Sequence, residues 1–248
     1  MTELLTVNQV SKRFRDRSGH FDAVQNVSLH LAPGEALGIV GESGSGKITL
    51  LKLISGLKTP DSGEILLNGE PLGKKRTRDQ FRQMQMIFQN ASGSFNPRIR
   101  LKKSVLESAR NLHVDLQEDQ LGSLFQAVGL QPEIGERYPS GISGGQCQRL
   151  AIARAIAVKP DLLLCDEITS ALDVSAQAQI LRLLARLRQE NHTALLFISH
   201  DLSVVRSLCD RILVMRAGQV VEEGTARQIL EDPREDYTKL LISSIMHI

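Results

Sequence analysis

The chain has 248 residues, of which 42% are hydrophobic, enough for one large α/β domain or for a core with a smaller inserted domain. Its net charge of +2 excludes a global electrostatic attraction to nucleic acid or to an acidic membrane surface. Three widely spaced cysteines without a CxxC pair predict reduced thiols in a cytoplasmic protein, not a zinc site or a disulfide framework. The sequence shows no signal-peptide pattern and no run of about 18 apolar residues, so we expect any membrane span to come from another chain.

The first predicted elements surround a glycine-rich loop. "LLTVNQVSKRF" alternates as an edge strand would, and "AVQNVSLHLAPGE" predicts a second strand that ends in a turn. "EALGIVG" is a short apolar run that leads into "GESGSGKITL", and "KITLLKLISGL" then predicts a helix that closes at Gly56. The following "SGEILLNGEPL" predicts a strand and a turn.

The loop between this strand and this helix nearly matches the phosphate-binding pattern G-x-x-x-x-G-K-[ST]. Ile48 stands where a Ser or Thr hydroxyl normally holds the nucleotide's magnesium. The glycines leave backbone N–H groups available for phosphate oxygens, the helix start adds its dipole, and the lysine supplies a charge for the β- and γ-phosphates. Taken alone, the loop also fits a glycine turn without a ligand. The candidate phosphate-binding residues are Gly41, Glu42, Ser43, Gly44, Ser45, Gly46, Lys47, Ile48 and Thr49.

The middle of the chain changes character. From about residue 81 it becomes more polar and helix-rich, as in "KKSVLESARNL" and "EDQLGSLFQAVGL". We interpret residues 81–150 as an inserted helical subdomain within one domain that spans residues 1–248. The tail "TARQILEDPREDYTKLLISSI" predicts helices over about residues 225–248.

A parallel-sheet pattern returns after the helical segment. "DLLLCDE" predicts a buried strand that ends in Asp166 and Glu167, and "TALLFISHD" predicts another. "DVSAQAQILRLLARLRQEN" is typical of an amphipathic helix, and "RILVMRAGQVVEEG" of a hairpin. A strand-end Asp facing magnesium is the second half of a phosphate-loop site, and the adjacent Glu can act as general base. An Asp-Glu pair taken alone is more often a helix cap or a surface pair.

Further motifs resemble those of ATP-binding-cassette (ABC) ATPases over essentially the whole chain. "ISGGQCQRLAIARAI" resembles their signature motif, with the core Ser143, Gly144, Gly145 and Gln146, and "TSALD" resembles their D-loop. The resemblance assigns Gln89 to the Q-loop beside the metal, His200 to the switch histidine, and Phe14 to adenine stacking. An ordinary apolar strand-end residue is the alternative for Phe14, and Phe21 competes with it.

This resemblance implies the fold, the cofactors and the partners. The fold class is α/β, a phosphate-loop NTPase core of the ABC ATPase type with an antiparallel β subdomain and an inserted helical subdomain. The cofactors are ATP and Mg²⁺. In the family two domains pack head to tail, each signature covering the ATP on the other's loop, so we expect a homo- or heterodimer with ATP at the interface. The expected partners are transmembrane permease subunits and, indirectly, an extracytoplasmic solute-binding protein, at the cytoplasmic face of the membrane; no nucleic acid is expected.

The subfamily is indicated by longer stretches. "GLQPEIGERYPSGISGGQ", "TSALDVSAQAQIL" and "EDPREDYTKLLISS" resemble the ATPases of dipeptide, oligopeptide and nickel importers. The chain stops soon after "YTKLLISS", which favours the nickel or metal-chelate members over peptide importers that carry a longer C-terminal extension. An accessory ATP-binding subunit of phosphonate breakdown has a similar tail, and a non-transport ABC protein is the alternative from another functional class.

Two positions depart from the family pattern. Ile168 replaces the usual Pro after the catalytic Glu, with little chemical effect expected, and Ile48 removes a magnesium ligand. Thr49 lies about 100° further around the helix and cannot replace the missing oxygen. Two consequences remain open: a site that binds ATP but hydrolyses it slowly, or a metal shell completed by water. We expect Glu167, His200 and Gln89 to be the catalytic residues, and Gln89 and Asp166 the residues at the metal.

Overall fold

The computed structural model describes residues 3–16 and 19–246. The chain divides into two compact units. The first unit combines the described residues up to Arg76 with those from His192 onward, and the second is Thr77–Asn191. The assignment of residues 81–150 to a helical subdomain stays a prediction.

The regular elements are numbered in chain order. The first unit contains β1 (Leu5–Asp16), β2 (Gly19–Leu31), β3 (Ala36–Val40), α1 (Lys47–Ile54), β4 (Ser62–Leu67) and β5 (Glu70–Pro71). The second unit contains α2 (Arg78–Gln83), β6 (Met84–Ile87), α3 (Leu101–Asn111), α4 (Glu118–Ala127), α5 (Gly144–Ile156), β7 (Leu162–Asp166) and α6 (Val174–Asn191). The first unit then resumes with β8 (Ala194–Ile198), α7 (Leu202–Leu208), β9 (Arg211–Arg216), β10 (Gln219–Thr225), α8 (Ala226–Glu231) and α9 (Asp236–Met246).

An antiparallel sheet in the first unit has the strand order β2-β1-β4-β5. The prediction that the first strand is an edge strand is wrong, because β1 pairs with β2 on one side and with β4 on the other. Leu5 lies opposite both Leu31 and Leu67 and is fully buried. Alternation reports that one face of a strand is buried, and it carries no information on how many neighbouring strands there are.

The second sheet of this unit places β3 between two parallel neighbours. β3 pairs with β8 and with β9, and all five of its residues are buried. β9 and β10 form the antiparallel hairpin predicted from the sequence. A strand buried on both faces needs apolar residues at every position, which is why "ALGIV" lacks alternation. The carboxyl end of β3 runs directly into the glycine loop, so this buried strand fixes where the loop begins.

The second unit is built around the parallel pair β6 and β7 and the helix α5. α5 buries most of its length, including Leu150 and Ile152, which are fully covered. Its start is closed by a capping box, in which Ser143 Oγ accepts the Gln146 amide at 3.2 Å and Gln146 Oε1 accepts the Ser143 amide at 3.0 Å. The signature stretch is therefore the start of a helix.

Candidate nucleotide-binding site

The phosphate loop uses glycine where no other residue fits. Gly41, Gly44 and Gly46 have φ angles of 147°, 81° and 106°. A Cβ on Gly41 would lie 2.2 Å from the Met215 carbonyl oxygen, and one on Gly46 would lie 2.4 Å from the Ala23 carbonyl oxygen. The space around Gly44 is open. Two of the three glycines are thus required by close backbone approach as well as by φ.

Lys47 is folded back along the loop. Its Nζ donates to the carbonyl oxygens of Gly41 and Glu42, both at 2.7 Å, and to Ser45 Oγ at 3.3 Å. The residue is only 4% exposed, so its charge is anchored within the loop. A phosphate oxygen is a stronger acceptor than a hydroxyl and would replace the longest of these three contacts. This arrangement fits the phosphates of a nucleotide.

α1 begins at Lys47 without a side-chain cap, since its N-cap residue is Gly46. The amide groups of its first turn thus have no cap from that residue, and a helix start of this kind favours an anion. At the other end Arg76 donates to the Ile54 carbonyl at 2.5 Å and to the Leu53 carbonyl at 3.3 Å. Burial lowers the pKa of Arg76 to about 10, so the guanidinium stays charged near neutral pH.

Ile48 occupies the second position of α1, and its side chain is 38% exposed. Thr49 follows and is half-buried. An isoleucine side chain supplies no oxygen for a magnesium ion, which prefers six oxygen ligands. Because Ile48 belongs to no buried apolar cluster, its identity is not required for packing, and it can be replaced with little loss of buried surface.

The loop is braced by the turn between β9 and β10. The Gly218 amide donates to the Ser45 carbonyl at 2.9 Å, and the Gly218 carbonyl accepts the Gln25 amide at 2.8 Å. Gly218 has a φ of 81°, which suits glycine at this turn. Sequence reasoning did not find this support, because the turn lies more than 170 residues along the chain from the loop.

The first unit also carries Phe14 and His200. Phe14 is paired with Phe21 across the β1–β2 hairpin, with ring centroids 5.8 Å apart, and the Nζ atoms of Lys12 and Lys58 each lie 5.7 Å from the Phe14 ring. The two competing aromatic candidates are therefore neighbours. His200 is exposed and lies between β8 and α7.

The second unit carries the acidic pair and Gln89. Asp166 ends β7 and is 5% exposed, and Glu167 follows with a φ of 48°. A left-handed backbone is strained for a residue other than glycine, and such strain is often found at active sites. Gln89 Nε2 donates to Glu167 Oε2 at 2.6 Å, so two of the predicted catalytic residues are in direct contact.

The signature turn and the D-loop lie side by side in this unit. A Cβ on Gly145 would approach the Ala171 carbonyl oxygen to 3.3 Å. Ser170 Oγ donates to the Glu167 carbonyl at 2.8 Å, and Asp173 Oδ1 accepts the Ala176 amide at the start of α6 at 2.8 Å. The stretch from Glu167 to Asp173 is thus a folded turn whose side chains close it onto α6.

Helix α5 also fixes the segment around Gln89, which sequence reasoning missed. Gln148, 1% exposed, donates to the Phe88 carbonyl at 3.0 Å. Arg154 donates to the Ser94 carbonyl and to Ser94 Oγ, both at 2.8 Å, and its guanidinium lies 4.3 Å from the centre of the Phe95 ring. Gln148 and Arg154 are six positions apart in α5 and therefore lie about 120° apart around the helix, so their spacing did not predict that both would hold this segment.

Metal and membrane features are limited in the part of the chain that the structure describes. Within residues 3–16 and 19–246, no group of three or more His, Cys, Asp or Glu side chains is arranged to hold a metal. Over the same residues, no helix combines the length and the apolar character needed to cross a bilayer.

Comparison with known proteins agrees with this geometry. Residues 24–170 match the ABC transporter family. The chain is 41% identical over 261 residues to the oligopeptide transport ATP-binding protein OppF of Lactococcus lactis subsp. lactis (strain IL1403), covering 100% of this chain and 82% of that protein. It is 44% identical over 232 residues to OppF of Salmonella typhimurium, covering 90% of this chain and 69% of that protein.

Solved structures show the same fold. The ATP-binding cassette MJ0796, in a dimeric post-hydrolysis state bound to ADP and Pi, superposes with a TM-score of 0.81 at 27% identity, covering 90% of this chain and 99% of that one. The predicted fold class, a phosphate-loop core of the ABC ATPase type, and the predicted family are confirmed. The chain belongs to the ABC transporter family, as one of its ATP-binding domains.

Proposed function

We propose that the chain is the ATP-hydrolysing subunit of an importer for oligopeptides. The phosphate loop carries this proposal, since its glycines are fixed by close approach and Lys47 is anchored on two loop carbonyls. The relatives named above are oligopeptide transport ATP-binding proteins, which favours peptides over nickel or metal chelates as the cargo.

The catalytic roles follow from the chemistry of the side chains. Lys47 and the amides at the start of α1 would bind the phosphates, while Asp166 and Gln89 would hold a magnesium ion. Glu167 takes the proton of the attacking water, and His200 contacts the γ-phosphate. When bound, Mg²⁺ neutralises charge on the β- and γ-phosphate oxygens. The contact between Gln89 and Glu167 keeps this carboxylate oriented before a nucleotide enters.

The signature residues Ser143–Gln146 act on the ATP of another chain. Their helix start offers the Gly144 and Gly145 amides to a γ-phosphate, with the Ser143 hydroxyl beside them. The related cassette of known structure is dimeric, which supports a head-to-tail pair of ATPase chains. We infer that this pair binds permease subunits at the cytoplasmic face of the membrane, and that a solute-binding protein delivers the cargo to those subunits.

Ile48 makes this chain's own site slow. The loss of a magnesium ligand weakens charge neutralisation in the transition state more than nucleotide binding in the ground state, because the γ-phosphate oxygens need the metal most during transfer. In a heterodimer the defect is confined to one of two sites, since Ser143–Gln146 still completes the partner's loop. The assembled complex then retains activity at the other site.

Expression of the chain together with the permease subunits of an oligopeptide importer tests the function. We expect a membrane complex that retains the chain and whose ATPase rate rises when a peptide-loaded solute-binding protein is added. A chain that hydrolyses ATP but never co-purifies with a membrane protein would instead identify a non-transport ABC protein or an accessory subunit of phosphonate breakdown. Stimulation by a nickel chelate and not by peptides would reassign the cargo.

A further inference from the structure

The C-terminal helix α9 makes a contact with the phosphate loop. The Glu42 amide donates to the hydroxyl oxygen of Tyr237, in the first turn of α9, at 3.2 Å. The two residues are 195 positions apart in the chain. The loop is therefore bonded to a helix that the predicted roles of the site residues do not use.

Glu42 links this contact to the lysine. Its carbonyl oxygen accepts Lys47 Nζ at 2.7 Å and the Ser45 amide at 3.2 Å, while its amide is taken by Tyr237. Glu42 is therefore bonded through its amide to α9, and through its carbonyl to Lys47 and Ser45 of the phosphate loop. The Glu42 amide shares its planar peptide unit with the Gly41 carbonyl, which accepts Lys47 Nζ at 2.7 Å, so a shift of the Tyr237 hydroxyl would move a carbonyl that holds Lys47.

The tyrosine ring and the start of its helix are each held by another residue. The Arg216 guanidinium lies 4.8 Å from the centre of the Tyr237 ring, a cation–π distance. Glu222 on β10 accepts the backbone amides of Arg234 at 2.8 Å and Glu235 at 3.2 Å, directly before α9. The hydroxyl thus reaches the loop from a helix whose start and whose first aromatic ring are both anchored.

The charge state of Glu222 agrees with this anchoring role. Burial of its carboxylate acts to raise its pKa, but the environment of the carboxylate, including the Arg234 and Glu235 amides that donate to it, outweighs that effect. The pKa of Glu222 therefore lies below its ordinary value, and the carboxylate is charged at neutral pH. An ionised acceptor at a helix start forms the stronger kind of hydrogen bond.

We propose that Tyr237 is a positioning residue for the phosphate loop and that it couples nucleotide binding to the C-terminal helix. The proposal rests on the proposed binding of ATP at this loop. The Tyr237 hydroxyl holds the Glu42 peptide unit so that Lys47 and the loop amides converge on the phosphates. Because coupling free energy is reciprocal, a bound nucleotide stabilises α9 to the same extent that α9 strengthens nucleotide binding.

Tyr237→Phe tests the proposal, because it removes only the hydroxyl and leaves the ring against Arg216. Ser243→Ala is the matched control, since Ser243 lies on the same helix and its hydroxyl donates only within α9, to the Leu240 carbonyl. We expect Tyr237→Phe to weaken MgADP binding to the full-length chain about fivefold, as for one neutral hydrogen bond, in isothermal titration calorimetry. Ser243→Ala should bind MgADP as the wild type does.

A second measurement separates coupling from a loss of stability. In the wild type, MgADP should slow amide hydrogen exchange in α9, and in Tyr237→Phe that protection should fall while exchange without nucleotide stays unchanged. In turnover assays of the complex, KM for ATP should rise about fivefold with kcat changed less than twofold, because the loop still forms once the nucleotide is saturating.

The outcomes distinguish this inference from the proposed function. A wild-type chain that binds MgADP, together with a Tyr237→Phe variant of equal affinity and equal α9 protection, overturns the positioning role alone. A wild-type chain that fails to bind MgADP overturns the proposed function and the positioning role together. Reduced affinity in Glu222→Ala, which releases the start of α9 and leaves Tyr237 intact, would support the same coupling by an independent route.

Discussion

The shape of the phosphate loop in the first unit depends on glycines packed against backbone carbonyls, whereas the turn after β7 in the second unit adds bonds between side chains and the turn to its backbone bonds. In the loop, Gly41 and Gly46 sit against carbonyl oxygens, and the Ser45 carbonyl is bonded to the Gly218 amide. In the turn, the side-chain amide of Gln89 donates to the Glu167 carboxylate, and the Ser170 hydroxyl donates to the Glu167 backbone carbonyl.

This difference has a consequence for substitution. A backbone-fixed loop tolerates no added Cβ at its crowded glycines, although a position just after them can vary, as Ile48 shows. A side-chain-fixed turn keeps its shape when a carboxylate becomes an amide, because an amide oxygen still accepts a hydrogen bond. The two regions should therefore fail in different ways: the loop by loss of structure, and the turn by loss of chemistry.

The largest effect is expected for Glu167→Gln in the second unit. Removal of a general base should lower the hydrolysis rate at this chain's own site by about 10²- to 10⁴-fold, while ATP binding and the fold persist. Size-exclusion chromatography with MgATP should show an ATP-bound dimer, with the second ATPase chain present if that chain is the partner. Glu107→Gln, an exposed change on α3, is the control and should leave the rate unchanged.

A monomer that also fails to bind nucleotide would show that Glu167 supports the structure of the turn and not its chemistry. The comparison between the two regions would then be wrong for the second unit.

Gly41→Ala should destabilise the phosphate loop of the first unit, because the added Cβ clashes with the backbone. The added Cβ would meet the Met215 carbonyl at 2.2 Å and would hold a φ that alanine disfavours. We expect a loss of about 2 to 4 kcal/mol in the free energy of unfolding, measured by urea denaturation, and no detectable nucleotide binding. Gly44→Ala has a similar φ problem in open space and should cost only about 1 kcal/mol. Equal losses in the two variants would contradict the role of crowding.

Ile48→Ser should restore magnesium chemistry at the phosphate loop without changing the backbone of the loop. The side chain is partly exposed, so little buried surface is lost, and serine returns the missing oxygen. We expect a gain of about tenfold in the ATPase rate, which is about 1.4 kcal/mol of barrier, with a modest change in ATP affinity. The measurement is the steady-state rate of the assembled complex against magnesium concentration.

Leu57→Ser, at another exposed aliphatic position of the first unit, is the matched control and should leave the rate unchanged. Equal rates and equal magnesium dependence in Ile48→Ser and the wild type would show that water already completes the metal shell. In that case the loop works with isoleucine in place of the hydroxyl.

The smallest effect is a pH dependence in the side-chain-fixed turn. The Ala176 amide, with Ser175, holds the pKa of Asp173 below its ordinary value. The folded state thus binds this proton more weakly than the unfolded state, so the stabilising contribution is complete above about pH 4 and is lost as pH falls through the lowered pKa. The difference in urea midpoint between wild type and Asp173→Ala should stay constant from pH 8 to pH 6 and shrink only below about pH 4.

The phosphate loop and the start of α5 could be predicted from the sequence, because both depend on residues that are close together in the chain. The glycine spacing of "GESGSGKITL" and the apolar run before it predicted a strand, a loop and a helix start, because glycine and hydrophobic periodicity act over a few residues. The capping pair Ser143 and Gln146 was readable for the same reason, since its partners are three positions apart. The roles of the site residues at these places stay predictions.

Other features depend on residues that are distant in sequence. Three such features join segments far apart in the chain. β1 pairs with strands on both sides, the Gly218 amide donates to the Ser45 carbonyl, and the Tyr237 hydroxyl accepts the Glu42 amide. The left-handed backbone at Glu167 could not be predicted from the sequence. A residue other than glycine adopts positive φ only when the surrounding structure holds it there.

The two ends of α1 differ in a way that bears on how the protein survives before assembly. Arg76 closes the carboxyl end permanently, whereas Gly46 leaves the amino end without a side-chain cap. A nucleotide at that end would act as a removable cap, and at about a hundred times its dissociation constant it would add about 2.7 kcal/mol to the folded state. Bound nucleotide would then slow proteolysis of the folded subunit, because proteases cleave the opened chain. The same coupling makes a simple melting curve a screen for the nucleotides and inhibitors that this loop accepts.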